Sequence, residues 1–549
     1  MSEQELKLHV PAHARAGIRR EVENGTSSRV RLHALYFDTP DRELAQARVA
    51  IRLRKEGRQW VQTLKTPGGH ALARVELNHE RPGPVLDLSV YADTPVAAVL
   101  TGLRGELGVR YETDIDRILR RVRTRYGSVE IAYDTGVLRA GGLELPVSEV
   151  EFELLSGRLD AVFDLGRRWQ RKHALVLDLR SKSERGDALA RTAQTLAGLQ
   201  GAEDEAARDR AVRAFWTPWP AGTAPLTPDM TPEEAQRAVS FECLEQVIRN
   251  AAMAAEVDTL GIFAAGNPDH VHQLRVGMRR LRSAWKLFEA WTPGPGDTLV
   301  EGGKRHFAAF GQNRDADVLR DTVLPTLVRA GMPELTLPQS DDHTDSQTQA
   351  ASVEFQGWLL DMLAWTLAIP TPATTAAASA AAASQSSAAS SAQDAGSESA
   401  TTAETVEIIP LNAPQEPEAP PALRDLLEKR LHKWHKRLVD EGRHFRSLEI
   451  EPRHDLRKKG KRLRYGLMFA EPLLSTPRVK AYRKALAQTQ NILGEMNDLY
   501  VAMSHFETLT AGHPQAWFAR GWITARLAAL SDDAEASFVR LGEAKAFWK

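Results

Sequence analysis

The chain has 549 residues, 42% hydrophobic and 26% charged, enough for three or four units of ~100–200 residues and too apolar to be wholly disordered. Lys plus Arg (71) balances Asp plus Glu (72), which excludes a uniformly basic coat for nucleic acid but leaves room for a local one. The single cysteine, Cys243, excludes an intramolecular disulfide and a cysteine-ligated zinc site. The acidic start Met1-Ser2-Glu3-Gln4-Glu5 predicts no signal peptide, and no apolar run reaches membrane-spanning length. A soluble, cytoplasmic, multidomain protein is expected.

Residues 1–202 read as mostly β. Short alternating runs such as Val49-Ala50-Ile51-Arg52-Leu53-Arg54 and Glu149-Val150-Glu151-Phe152-Glu153-Leu154 are punctuated by Gly and Pro clusters such as Thr66-Pro67-Gly68-Gly69. Helices are predicted over 159–173 and 187–199. Residues 203–230 form a connector, in which Thr217-Pro218-Trp219-Pro220 breaks regular structure. From Thr231-Pro232-Glu233-Glu234, a capped helix start, the pattern is helical over 231–368 and again over 422–549. Residues 369–421, rich in Ala, Ser, Thr and Pro, read as a disordered linker. The two helical stretches repeat one another. His272-Gln273-Leu274-Arg275 aligns with His454-Asp455-Leu456-Arg457, Arg279 with Lys461, Arg282 with Arg464, and Arg314-Asp315 with Asn497-Asp498. The expected fold class is α+β multidomain: a β unit followed by duplicated all-α bundles.

In the β part, charges fall in register on one strand face. Glu3, Glu5 and Lys7 alternate with Gln4, Leu6 and Leu8; Arg52 and Arg54 with Ile51 and Leu53; Glu149, Glu151 and Glu153 with Val150, Phe152 and Leu154. For one strand alone a solvated face explains this. Several aligned like-charged sets repel unless opposite charge sits between them. A closed antiparallel barrel with this face inward would supply it. The basic groups would then suit a polyanion and the carboxylates a hard divalent cation.

Glu3-Gln4-Glu5-Leu6-Lys7 resembles the E-x-E-x-K signature of the CYTH superfamily, the triphosphate tunnel metalloenzymes. Tyr36-Phe37-Asp38-Thr39-Pro40, Arg52-Leu53-Arg54, Thr63-Leu64-Lys65, Glu149 to Glu153 and Ser181-Lys182-Ser183-Glu184-Arg185-Gly186 follow in the family's order. The resemblance implies an eight-stranded antiparallel tunnel binding inorganic triphosphate with Mg²⁺ or Mn²⁺, most similar to the bacterial inorganic triphosphatases. Lys7, Arg52, Arg54, Lys65, Arg117 and Lys182 would hold the phosphates. Glu3, Glu5, Asp134, Glu149, Glu151 and Glu153 would share one or two metal ions. Lys182 and Lys7 are the catalytic candidates, and a carboxylate-bound water is the other possible base. Arg74, Glu76, Glu130 and Arg185 are secondary candidates, and His70 and His79 are assigned to the surface. Arg117 is chosen from the arginines of 117–125 because Thr113-Asp114-Ile115-Asp116-Arg117 looks like the family's entry to that strand.

In the helical part His272, Arg275, Arg279, Arg282 and Lys286 share one helix face, and His454, Arg457, Lys461 and Arg464 repeat it. Polar faces are common, but these hold almost no acid, which favours an anion partner. The pattern resembles the CHAD domain, to which Arg314-Asp315-Ala316-Asp317-Val318 also conforms. That family implies pseudo-symmetric bundles whose basic groove binds inorganic polyphosphate, and a protein that can associate with polyphosphate granules. The histidines then read as phosphate donors rather than metal ligands. Alternative readings are a non-catalytic polyphosphate-binding scaffold and a class IV-type adenylate cyclase, for which no base-recognition motif is seen. Nucleic acid is disfavoured because the stripes lack interleaved aromatics.

Overall fold

The computed structural model describes residues 2–69, 72–199, 205–257, 268–311, 319–335, 346–368, 422–474, 476–545 and 547–548. His70, the 314–318 motif and the predicted linker lie outside the described residues. Eight antiparallel strands close on themselves: β1 (Ser2–His9), β2 (Ser27–Asp38), β3 (Ala50–Glu56), β4 (Gln59–Pro67), β5 (Ala73–Arg81), β6 (Gly108–Thr124), β7 (Gly127–Ala140) and β8 (Leu143–Gly157). Their order is β5-β4-β3-β2-β6-β7-β8-β1, and β5 pairs back onto β1. A two-residue β9 (Val176–Leu177) also pairs with β1.

Closure accounts for the alternation. Apolar residues of the strands point outward and are covered by helices. α1 (Arg15–Glu23) packs on the outer face of β6 and β7, in one core with Leu6, Leu8, Val150 and Phe152 of β1 and β8. The short α2 (Glu43–Gln46) and α3 (Ala97–Thr101) help cover Ile51 and Leu64. α4 (Asp160–His173) lays Phe163 and Trp169 against β1 and β8. The charged faces are left to point inward.

The next helix, α5 (Lys182–Ala197), starts five residues before its predicted position. Ser181 caps it: its Oγ accepts the Glu184 N–H at 3.1 Å. The inward strand faces turn apolar towards one end, where Tyr36, Tyr111, Ile115, Leu138 and Leu145 pack against Leu189, Ala190 and Ala193 of α5. Gly186 permits this approach, since a Cβ there would overlap the Tyr111 ring. The connector is not wholly irregular: it contains α6 (Glu205–Phe215).

Helices of the remaining chain are α7 (Pro232–Ala254), α8 (Pro268–Phe288), α9 (Asp297–Ala309), α10 (Leu324–Arg329), α11 (Ser346–Ala351), α12 (Val353–Thr366), α13 (Leu423–Gly442), α14 (Ile450–Ala470), α15 (Thr476–Leu509) and α16 (Gln515–Glu543). The Thr231/Glu234 capping box and Pro232 open α7 as the sequence predicts. Among the described residues no helix is long and apolar enough to cross a membrane. The outer face of β1 and β8 continues into the helical core without a break. Polar ties reinforce the junction: Arg167 donates to Asp361 at 2.6 Å, and the Leu177 N–H donates to Gln356 Oε1 at 2.8 Å.

Candidate functional site

Strand register decides which inward charges meet. Across β1, β8 and β7, Glu5 lies opposite Glu153, which lies opposite Glu130. Two residues further along, Lys7 faces Glu151. Two further still, His9 faces Glu149, Glu149 faces Asp134, and Asp134 faces Arg117 on β6. On the other wall Arg52 lies beside Tyr36 and Thr63, Arg54 beside Ala34 and Val61, and Lys65 beside Glu76. The electrostatics show the walls looking at one another: Lys65 is influenced by Arg52, then by Glu5, Glu3 and Glu151.

The row through Asp134 is a dense ionic cluster. Asp134, Glu149 and Glu151 each offer an oxygen within 4.8 Å of the others. Arg117 grips Asp134 through both Nε and Nη2 at 2.6 Å and reaches Glu151 at 2.6 Å. Lys182 lies 2.7 Å from Asp134 and 2.8 Å from Glu151, and also donates to Glu149. Arg185 donates to Glu149 from α5. Three carboxylates thus face three cations. Burial alone would raise the Asp134 carboxyl, but Arg117 and Lys182 outweigh it and hold it low. Burial likewise opposes the Lys182 charge, yet Asp134, Glu149 and Glu151 hold its pKa above the lysine range.

Other groups lack such balance. Lys7 Nζ is buried with no hydrogen bond among the described residues, 3.9 Å from Glu149. Burial lowers its pKa. Lys65 pairs with Glu76 and lies 3.8 Å from Glu3; burial and then Arg52 bring it down to about 8. Arg54, paired with Glu56, is lowered to about 10 by burial and Arg52. Arg52 Nη1 donates to the Tyr36 hydroxyl at 3.4 Å. Glu5 is raised by burial and Glu151, and Glu153 is raised to about 7 by burial, Glu3, Glu5 and Glu130.

The six carboxylates expected to share one or two metal ions lie in two neighbouring groups. Asp134, Glu149 and Glu151 form the compact trio, while Glu5 and Glu153 sit in the next row with Glu3 nearby. Mg²⁺ and Mn²⁺ take hard oxygen ligands at ~2.1 Å in octahedral geometry, so trans oxygens lie ~4.2 Å apart. The trio, with oxygens all within 4.8 Å of one another, would suit such an ion once Arg117, Lys182 and Arg185 release them. The secondary candidates Glu76 and Arg185 lie inside. Asp178 was not singled out from sequence; it is buried against Arg180 at 2.9 Å and is among the charges acting on Lys7.

In the helical half, α8 packs against α14 and the two basic stripes face each other. Lys461 is pushed down to about 7 by burial, then by Arg279 and Arg457, with Arg275 also contributing and Asp498 opposing. The buried Nε of Arg279 has no hydrogen-bond partner among the described residues. Arg275 donates to the Phe307 carbonyl at 2.9 Å, and both Arg275 and Arg282 lie over the Phe307 ring. His272 and Arg457 lie on the same half-buried faces. His454 packs beside Tyr500, and burial followed by Arg457 lowers its pKa. Arg464 donates to Gln490 at 3.3 Å, and Lys286 has an acidic partner in Glu289 at 2.7 Å.

The CYTH domain family matches residues 1–186 and the CHAD domain family residues 241–507. The chain carries a CYTH domain followed by a CHAD domain. An inorganic triphosphatase of Haemophilus influenzae is 34% identical over 158 residues, which cover 28% of this chain and 44% of the relative. The chain thus spans less than half of that relative's length. Among solved structures, the CHAD domain of the plant Ricinus communis aligns at 26% identity over 60% of this chain and 98% of its own, with a TM-score of 0.38. HpAC1 of Hippeastrum, a proposed adenylyl cyclase described as having a dominant triphosphatase activity, aligns at 18% identity over 34% of this chain and 95% of its own, with a TM-score of 0.25.

The CYTH site contains one residue that its position on the strand could have ranked from sequence. Arg117 shares its face with Arg121, but Arg121 is largely exposed and pairs with Glu130, whereas Arg120 points outward to the Glu21 carbonyl. Parity excludes Arg120, and distance along the strand excludes Arg121.

Proposed function

We propose that the chain is a metal-dependent inorganic triphosphatase that cleaves triphosphate to diphosphate and phosphate in its CYTH tunnel, while the CHAD half binds inorganic polyphosphate. We assign residues 1–202 to the tunnel unit and 231–368 and 422–549 to the two CHAD halves. The observation that carries the reading is the set of three mutually close carboxylates, Asp134, Glu149 and Glu151, enclosed with Arg117 and Lys182 and faced by Arg52, Arg54 and Lys65. The triphosphatase relative and the CYTH match support it.

Triphosphate brings about four negative charges near neutral pH, and guanidinium forks match its oxygens. Arg52, Arg54 and Lys65 hold the chain on one wall. Arg117 and Lys182 leave the carboxylates for the phosphate oxygens. Asp134, Glu149 and Glu151, with Glu3, Glu5 and Glu153, are then free to hold Mg²⁺ or Mn²⁺. The metal held by these carboxylates would supply neutralisation of charge developing on the phosphates and polarisation of water. Water attacks the terminal phosphorus, the bridging P–O bond breaks, and diphosphate departs. Between the two candidate lysines, Lys7 is the better proton acceptor. It is buried, lacks a hydrogen bond and has a lowered pKa, whereas Lys182 keeps its proton and neutralises charge.

The basic α8/α14 groove supports the second part. Arg279 and Arg457 press on Lys461, with Asp498 opposing them among the described residues, and a polyanion would relieve that repulsion. A cytoplasmic protein associated with polyphosphate granules would follow.

The test is a phosphate-release panel with triphosphate, ATP, thiamine triphosphate and long polyphosphate, each with Mg²⁺ or Mn²⁺. Metal-dependent release is expected to be fastest with triphosphate. Cyclic AMP formation without triphosphate cleavage would overturn the reading.

A further inference from the structure

Lys182 and Arg185 reach the tunnel from the first turn of α5, and that turn is also held from outside. Between them in sequence, Glu184 points away from the tunnel and accepts a hydrogen bond from Arg249 of α7, in the CHAD half. Arg249 is 9% exposed. Its Nε donates to Glu245 at 2.9 Å, and its guanidinium lies 4.1 Å over the Trp219 ring. Trp219 is fixed in turn, because its N–H donates to Asn250 Oδ1 at 3.0 Å and its carbonyl accepts from Asn250 Nδ2 at 2.9 Å. The segment entering α5 is held the same way. Arg180 is bonded to Asp178, reaches the Met253 sulfur of α7 at 3.6 Å, and sits 5.8 Å over Trp216.

The first turn of α5 therefore lies between two sets of charges. On one side Lys182 and Arg185 enter the Asp134, Glu149 and Glu151 cluster. On the other, Arg249 fixes Glu184. A helical turn is stiff, so what holds Glu184 also sets the heights of Lys182 and Arg185.

We propose that Arg249, through Glu184, is a positioning residue of the tunnel: the CHAD half holds the first turn of α5, and with it Lys182 and Arg185, in place against the carboxylate trio. Its kinetic consequence rests on the triphosphatase reading; its structural consequence does not. Glu184 and Glu245 both retain solvent access, with side chains 39% and 28% exposed. Loss of Arg249 therefore does not strand a fully buried charge, and the variant is expected to fold.

The experiment uses the full chain and compares wild type with Arg249→Met, Glu184→Gln and the double variant. Three quantities are read: KM for triphosphate, the Mn²⁺ concentration giving half-maximal rate, and amide exchange in the peptide spanning 182–186. Displacements of ~1 Å at a site cost up to ~10²-fold. Each single variant should shift one or both constants by about tenfold and speed exchange in that peptide. The double variant should be no worse than Arg249→Met. A smaller fraction of folded protein would lower kcat but leave both constants unchanged. Constants within about twofold of wild type in both single variants, alongside an active wild type, would overturn the proposal. Should wild type not cleave triphosphate, the functional reading fails. Exchange at 182–186 and calorimetric Mn²⁺ affinity then decide the proposal: unchanged values in both single variants overturn it, and faster exchange with shifted affinity supports it.

Discussion

Replacing Lys182 with methionine removes one cation from a cluster in which three carboxylates meet Arg117, Lys182 and Arg185. The side chain keeps nearly the same length, so packing changes little. Lys182 lies 2.7 Å from Asp134 and 2.8 Å from Glu151, and Asp134 is fully buried. Breaking a buried pair by deleting one partner costs about 3–5 kcal/mol, because a charge is left uncompensated. At about 2–4 °C per kcal/mol for a unit of this size, the tunnel should melt about 6–20 °C lower in chelator. The freed oxygens are also the proposed metal ligands. In wild type a divalent cation must compete with Lys182 for them; in Lys182→Met it does not. Mn²⁺ at about a hundred times its dissociation constant returns about 2.7 kcal/mol, so the variant should recover much of its deficit and gain more from metal than wild type. Scanning calorimetry of both proteins, in chelator and over an Mn²⁺ series, reads this directly. Equal melting in chelator, or an equal gain from Mn²⁺, would refute the electrostatic account of the trio.

Further outcomes are expected. Glu5→Ala should lower triphosphate cleavage at least about 10²-fold while leaving polyphosphate binding intact, as measured by phosphate release and a polyphosphate binding assay. Glu153, raised to about 7 by burial and neighbouring glutamates, contributes stability that is full below pH ~4.5 and lost as pH rises through ~7. In chelator, stability should fall over that window while metal affinity rises, and calorimetry of Glu153→Gln should show both trends flattened. Lys461, lowered to about 7 by burial and Arg279, has its unfavourable buried charge relieved as pH rises from ~7 towards ~10.5. A bound polyanion restores that proton, so polyphosphate affinity should fall as pH rises through ~7, with a smaller fall in Lys461→Met. Gly186→Ala should destabilise the tunnel by about 1–3 kcal/mol in thermal melts, since its Cβ would overlap the Tyr111 ring.

The inward charge of the β part was legible because alternation fixes which face each residue occupies. Glu3, Glu5 and Lys7, then Arg52 and Arg54, then Glu149, Glu151 and Glu153, could be read that way. Alternation does not fix which row of one strand meets which row of the next. That is register, and it separates Glu5 and Glu153 from the trio of Asp134, Glu149 and Glu151. The start of α5 was legible and missed: Ser181 stands three residues before Glu184, the spacing of a helix cap. Arg249 gave no signal, since one arginine on a long helix looks like solvated charge until Trp219 and Glu184 are brought to it.

The tunnel and the basic groove are charged differently, and under the proposed function the difference has a measurable sign. In the tunnel, Arg117, Lys182 and Arg185 already neutralise Asp134, Glu149 and Glu151. On the proposed function, triphosphate and a divalent ion would arrive as complementary charges, and the residues would change partners instead of gaining them. In the groove, Arg279 and Arg457 press on Lys461, with Asp498 opposing them among the described residues. A polyanion bound there would displace mobile counter-ions. Its affinity should therefore fall steeply with added monovalent salt, as counter-ion release from a polyanion held by clustered cations requires. Triphosphate binding in the enclosed tunnel should respond less, because screening is weak where water is excluded.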